Sequence, residues 1–119
     1  MTRAIKSVPS IIALLVYGAA GTAIAGTSAY VTSGTLSKTV DQCLKDMKAL
    51  AQKTGFTVAQ ETLIDKNGMA GDFHADKAEA PLHFTARCNS VSKTWGIAVS
   101  GIINDQTFLQ YKKFYDLLP

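Results

Sequence analysis

The sequence predicts an α+β fold: a two-layer sandwich in which two helices cover one face of a mostly antiparallel sheet of three to four strands, in the order β-α-β-β-β-α. Three observations predict it. Apolar residues recur every three to four positions in two separated segments and every second position in segments between them. One cysteine falls on the apolar stripe of the first helical segment and the other on the apolar face of the clearest strand. The chain of 119 residues is 47% hydrophobic, with only 3 Pro and 9 Gly, which suits one small packed domain and excludes a collagen-like, low-complexity or wholly disordered chain.

The elements run in order. Ser28 to Leu36, with Tyr30, Val31 and several hydroxyl residues, reads as a strand or extended arm. Thr39-Val40-Asp41-Gln42 fits a capping box, the Thr39 hydroxyl accepting from the Gln42 backbone while the Gln42 side chain reaches back. Val40, Cys43, Leu44, Met47, Leu50 and Ala51 then form one buried stripe, with Asp41, Lys45, Asp46 and Lys48 on the wet side. Gly55 lets the chain leave the helix after Thr54. Phe56 to Ile64 alternates enough for a strand, with Phe56, Val58 and Ile64 sharing a face. Asn67-Gly68 supplies a tight reversal.

Gly71 to Ala80 is polar and reads equally as the extension of a hairpin or as a loop, closed by Pro81. Leu82, Phe84, Ala86 and Cys88 alternate with His83, Thr85, Arg87 and Asn89, a half-buried strand. Trp95, Ile97, Val99 and Ile103 share a phase, opposite the small residues Gly96, Ala98 and Ser100. Either something packs closely on that second face or it is simply uncluttered. Asn104 or Asp105 caps the last helix, whose wide apolar face is Phe108, Tyr111, Phe114, Tyr115 and Leu118. A ferredoxin-like arrangement would need a further closing strand that this order lacks.

The N-terminus reads as a targeting signal. Arg3 and Lys6 are the only charges before Lys38, and Ile11 to Val16 forms an apolar centre. Ala23-Ile24-Ala25 gives the small-x-small step that a signal peptidase accepts. The expected organisation is therefore a signal peptide at 1–25 and a single disulfide-stapled domain at 26–119. A retained membrane anchor is the alternative, since about 20 apolar residues span a bilayer, but Gly18, Gly21 and Gly26 dilute the run and favour cleavage. With no stable membrane span after cleavage, the expected location is periplasmic or secreted.

The formal charge of +3 includes the signal's two cations. The chain beyond residue 25 holds 10 basic and 9 acidic residues, so no electrostatic footprint for nucleic acid or an anionic membrane is present. In an oxidising compartment Cys43 and Cys88 are expected to bond, because packing the helix on the sheet brings their faces together. A redox pair would more typically hold its cysteines two residues apart at a helix start.

Candidate chemistry is sparse. No Gly-x-Ser-x-Gly elbow surrounds any serine, no Gly-rich phosphate loop is visible, and the acids Asp72, Asp76 and Glu79 lie in the most polar stretch. No enzymatic activity and no cofactor are expected. His83, Thr85 and Arg87 lie opposite the apolar face of their strand and are the candidate binding residues if the sheet is left open on that side. An alternative is a metal site from Asp72, His74, Asp76 and His83, since side chains at i, i+2 and i+4 of an extended segment share a face. The functional expectation is a non-enzymatic exported domain that binds another protein or an envelope component through the open sheet face. A small hydrolase inhibitor would instead need a protruding loop, such as Asp72 to Pro81.

Overall fold

The structure is a computed structural model that describes residues 27–118; the expected signal segment at 1–25 lies outside the described residues. The elements are β1 (Ser28–Thr35), α1 (Val40–Lys53), β2 (Phe56–Ile64), β3 (Ala70–Lys77), β4 (Leu82–Asn89), β5 (Thr94–Gly101) and α2 (Asn104–Leu117). One five-stranded sheet has the order β1-β5-β4-β3-β2, and every neighbouring pair is antiparallel. The expected α+β class and the helices on one face are present, with one strand more than expected.

That strand is β3. Its inward positions are Gly71, Phe73 and Ala75, only one of them large, and its outward ones are Asp72, His74 and Asp76. The weak contrast in size on one side and the charges on the other conceal the alternation. The Asn67-Gly68 reversal before it forms as expected. Gly68 has φ 70°, its N–H donates to the Asp65 carbonyl at 2.8 Å, and the Asn67 side chain accepts from the Met69 N–H at 2.9 Å. After β4, the Asn89 side chain closes the next turn by accepting from the N–H groups of Val91 and Ser92 at 2.9 and 3.1 Å.

β2 departs from its expected phase. Its register against β3 shifts twice, between Phe56 and Val58 and between Val58 and Glu61, with Ala59 at φ 50°. Each extra residue reverses the facing, so Phe56 and Ile64 lie on the helix side while Val58 lies across the sheet from them. Only Phe56 is buried.

α1 buries Val40, Cys43, Leu44, Met47 and Ala51, with Leu50 partly buried against the same core. The Thr39 hydroxyl accepts from the Gln42 N–H at 3.1 Å, but Gln42 does not complete a reciprocal box. Its amide donates forward to Asp46 at 2.8 Å. The α2 cap also differs. Ile103 is the N-cap and offers no side-chain bond, while Asn104 accepts instead from the Tyr30 hydroxyl at 2.6 Å. The buried residues of α2 are Thr107, Gln110 and Phe114; Thr107 satisfies its hydroxyl on the Ile103 carbonyl at 2.8 Å.

Both helices lie on the face that carries Phe73, Phe84 and Val99, and the core between the layers is aromatic. Phe84 and Phe114 stack with centroids 4.5 Å apart, and Phe56 lies 5.4 Å from Phe114. All three side chains are fully buried, each worth about 1.5–3 kcal/mol of transfer free energy. Gly34 solves a problem of close approach. It pairs with Trp95 in register, and a Cβ there would come within 2.6 Å of the indole ring, so glycine lets the ring lie flat over β1. Cys43 and Cys88 are bonded, their Cα atoms 6.3 Å apart, tying α1 to β4 from within the core.

Candidate functional site

Because both helices occupy one side of the sheet, no described element covers the other. The alternation of β4 sends Leu82, Phe84, Ala86 and Cys88 inwards and leaves His83, Thr85 and Arg87 on this open face, as expected from the sequence. The register with β3 sets each opposite a partner: His83 faces Asp76, Thr85 faces His74, and Arg87 faces Asp72. Cross-strand neighbours on one face are about 5 Å apart at Cβ, which is contact distance for polar side chains.

Each row is used. His83 Nδ1 and Asp76 Oδ1 are 2.6 Å apart, and His74 Nδ1 lies 3.2 Å from the Thr85 hydroxyl. The two imidazoles stack at 5.6 Å. Arg87 donates through Nη1 to Asp72 at 2.8 Å and through Nη2 to Asp65 at 3.0 Å. The bonds to Asp72 first and Asp65 second hold the guanidinium above its ordinary pKa range and pin the β2–β3 turn to β4.

Asp72, His74 and Asp76 do share a face with His83, as the metal alternative requires. Their bonds run in pairs along the ladder rather than towards one point, with Asp72 engaged by Arg87 one row beyond the imidazoles. Among the described residues, no group of three or more His, Cys, Asp or Glu side chains is arranged to hold a metal ion. The loop invoked for an inhibitor is also largely absent. Asp72 to Lys77 belongs to β3, leaving only residues 78–81 as the connection to β4.

Beside the ladder lies a feature that the sequence pattern does not assemble. Three outward residues of β5, Gly96, Ala98 and Ser100, are small, and the residues paired with them on β4, Arg87, Thr85 and His83, are larger. Between Thr85 and Arg87 on β4 and Val31 and Ser33 on β1, Gly96 and Ala98 form the floor of a shallow trough of about 560 Å³. The small residues are visible as a phase, but their neighbour across the sheet is β1, joined only by long-range pairing. The trough adjoins a half of the face in which Glu61, Asp72 and Asp76 accompany the guanidinium of Arg87.

A second hollow, about 260 Å³, opens on the helix side among Leu36, Met47, Leu50, Trp95 and Leu118, with Lys38 and Asp46 at its rim. Those two side chains are ion-paired. Among the described residues, no helix is long and apolar enough to cross a membrane.

Comparison of the chain with protein-family models, curated proteins and solved structures finds no match. The functional reading therefore rests on this surface and its chemistry.

Proposed function

We propose that the protein is a small exported, non-enzymatic domain that binds another protein or an envelope component through its open sheet face. The supporting observation is the trough floored by Gly96 and Ala98 beside the ordered His83, Thr85 and Arg87 ladder. A sheet face left uncovered and provided with a recess is the kind of surface that a partner completes. The ladder holds its side chains in place before binding, which lowers the entropy cost of association.

The surface also suggests what the partner offers. An apolar ridge would fill the trough, and a basic side chain beside it would meet the acidic half formed by Glu61, Asp72 and Asp76. The disulfide between Cys43 and Cys88 supports an oxidising location, periplasmic or secreted, in line with the signal read at 1–25.

Substituting Ala98→Arg tests the reading, since it fills the trough from a half-buried outward position without touching the core. Wild-type and variant protein are used to retain partners from an envelope extract of the native host, with circular dichroism to establish that both are folded. A component held by the wild type and released by Ala98→Arg is the expected result. Equal retention by both proteins, or none by folded wild type, counts against the open face as the binding surface.

A further inference from the structure

We propose that the outer edge of β1 pairs antiparallel with the same strand of a second copy of this chain, forming one continuous sheet and bringing the two α2 helices together over the junction. Unpaired edge strands invite such pairing and are commonly blunted by charge, proline or bulges. β2, at the opposite edge, has that protection in its two register shifts and in Glu61. β1 has none of it. Ser28–Thr35 contains no charged residue and no proline, and its register with β5 runs unbroken from Ser28 opposite Gly101 to Thr35 opposite Thr94.

The phase of the free edge can be read from one bond. The Leu36 N–H donates to the Lys93 carbonyl at 2.9 Å, so the backbone of Leu36 points at β5. In an antiparallel ladder alternate residues do the same, which directs Gly34, Thr32 and Tyr30 inwards. Ala29, Val31, Ser33 and Thr35 then turn their N–H and C=O groups outwards, and among the described residues no strand receives them.

Symmetry narrows the arrangement. A two-fold axis joining two such edges antiparallel stands perpendicular to the sheet, so open-face residues must oppose open-face residues. The register engaging the whole outward set places Thr32 opposite Thr32 of the second copy, Val31 opposite Ser33, and Ala29 opposite Thr35. These are small, β-branched or hydroxyl side chains, and no like charges meet. Self-pairing of most edges would not be so free of repulsion.

The helix layer favours a second copy over an isolated peptide strand. α2 runs beside β1, with the Phe108 ring 5.3 Å and the Tyr111 ring 5.7 Å from Tyr30, and with Tyr115 sharing a hollow with Thr35 and Trp95. Phe108 and Tyr115 nevertheless remain 43% and 54% exposed. Phe108 and Tyr115 of the wide apolar face are thus left uncovered by the sheet, where the α2 helix of a second copy would cover them. Lys112 and Asp116 on the same helix neutralise one another at 3.1 Å. This interface runs along the outer edge of β1, whose Val31 and Ser33 also wall the trough, and it would set two open faces side by side for bivalent binding.

The test is sedimentation equilibrium of the exported protein over a concentration series, with Val31→Lys, Val31→Pro and Leu63→Lys as variants. Val31 is 69% and Leu63 47% exposed, so neither lysine disturbs the core. The expected result is a dimer for the wild type and Leu63→Lys, and a folded monomer for both Val31 variants. Thr32→Cys should cross-link the dimer under mild oxidation. A wild type that stays monomeric at every concentration overturns the proposal. So does a dimer that survives both Val31 substitutions, or a monomer that takes up a strand of another protein one to one on β1. Loss of the dimer leaves the open-face reading standing, because Ala98→Arg reports on that surface separately.

Discussion

Breaking the bond between Cys43 and Cys88 is the sharpest test of how this domain is held together. The cysteines are 45 residues apart in sequence, and in the chain-entropy account closing a loop of that length removes unfolded-state freedom worth about 4 kcal/mol at 25 °C. Against a total stability of about 5–15 kcal/mol for an ordinary domain, that is a large fraction. A domain of this size loses roughly 4–8 °C of Tm per kcal/mol, so reduction should lower Tm by roughly 16–32 °C. Urea unfolding should also become steeper, because the released unfolded chain exposes more surface. The Cys43→Ala/Cys88→Ala pair should fall slightly further, since both sulfurs are buried, at 3% and 0% exposure, and truncating them leaves small voids. The decisive comparison is a double-mutant cycle. Either single substitution already removes the crosslink, so the double variant should cost far less than the sum of the singles. Additive single effects, or less than about 1 kcal/mol lost on reduction, would refute the claim that this bond joins helix to sheet as the main covalent support of the fold.

Three further outcomes arise from local geometry. Gly34→Ala should destabilise by about 1–3 kcal/mol, because its Cβ would press to 2.6 Å from the Trp95 ring. Gly96→Ala, whose Cβ meets nothing closer than 3.6 Å, should be neutral or stabilising by up to about 1 kcal/mol; thermal unfolding of the two variants reads the contrast. Gln110 is 4% exposed and its Nε2 has no hydrogen-bond partner among the described residues, so Gln110→Met should raise stability by about 1–3 kcal/mol, and a loss in urea titration would mean that the amide is satisfied in solution. Asp46 has its pKa lowered by hydrogen bonds from Lys38 and then Gln42. A depressed carboxyl contributes stability that is present above its unfolded pKa and lost as pH falls through the folded one. Asp46→Asn should therefore cost no more than about 0.5 kcal/mol at neutral pH, both partners being half exposed, and nothing in strong acid; NMR titration of the carboxyl checks the direction.

The parts of the fold legible in the sequence are those where a single physical signal dominates. The α1 stripe, the alternation of β4 and the Asn67-Gly68 turn each come from side chains whose partition or φ preference is strong. The cysteines could be paired because both lie on core-facing phases. β3 escaped because two of its inward positions are Gly71 and Ala75, which report almost nothing about facing and leave Phe73 alone to mark the buried side, while Asp72 and His74 resemble a solvated loop. β2 misled for another reason: its bulges change the facing within one strand, and only the pairing with β3 reveals them. On the open face, the positions of His83, Thr85 and Arg87 came from period two alone. Their partners Asp76, His74 and Asp72 share a face by the same rule, but which residue meets which depends on the register of two strands. Asp65, the second acceptor of Arg87, and the trough beside Val31 lie further still from any local pattern.

β4 is where the stability of the fold meets the proposed binding surface. Cys88 points inwards to α1, and its neighbour Arg87 points outwards to Asp72 and Asp65. The strand is hydrogen-bonded on both sides, to β3 and β5, so it cannot shift in register without moving the ladder and the trough together. A one-residue slip would also carry Phe84 and Cys88 to the solvent side and Arg87 into an aromatic core, which burial of an unpaired charge forbids. The disulfide adds a covalent lock to that facing, since holding Cys88 against Cys43 keeps Arg87 on the opposite side. Under reducing conditions that leave the domain folded, the open face should keep its arrangement, because the alternation and the sheet pairing still impose it. Under conditions in which reduction unfolds the domain, binding should disappear together with near-ultraviolet ellipticity. A reduced protein that keeps its tertiary signal yet loses only the Arg87 contacts to Asp72 and Asp65 would show that the facing of β4 depends on the bond alone.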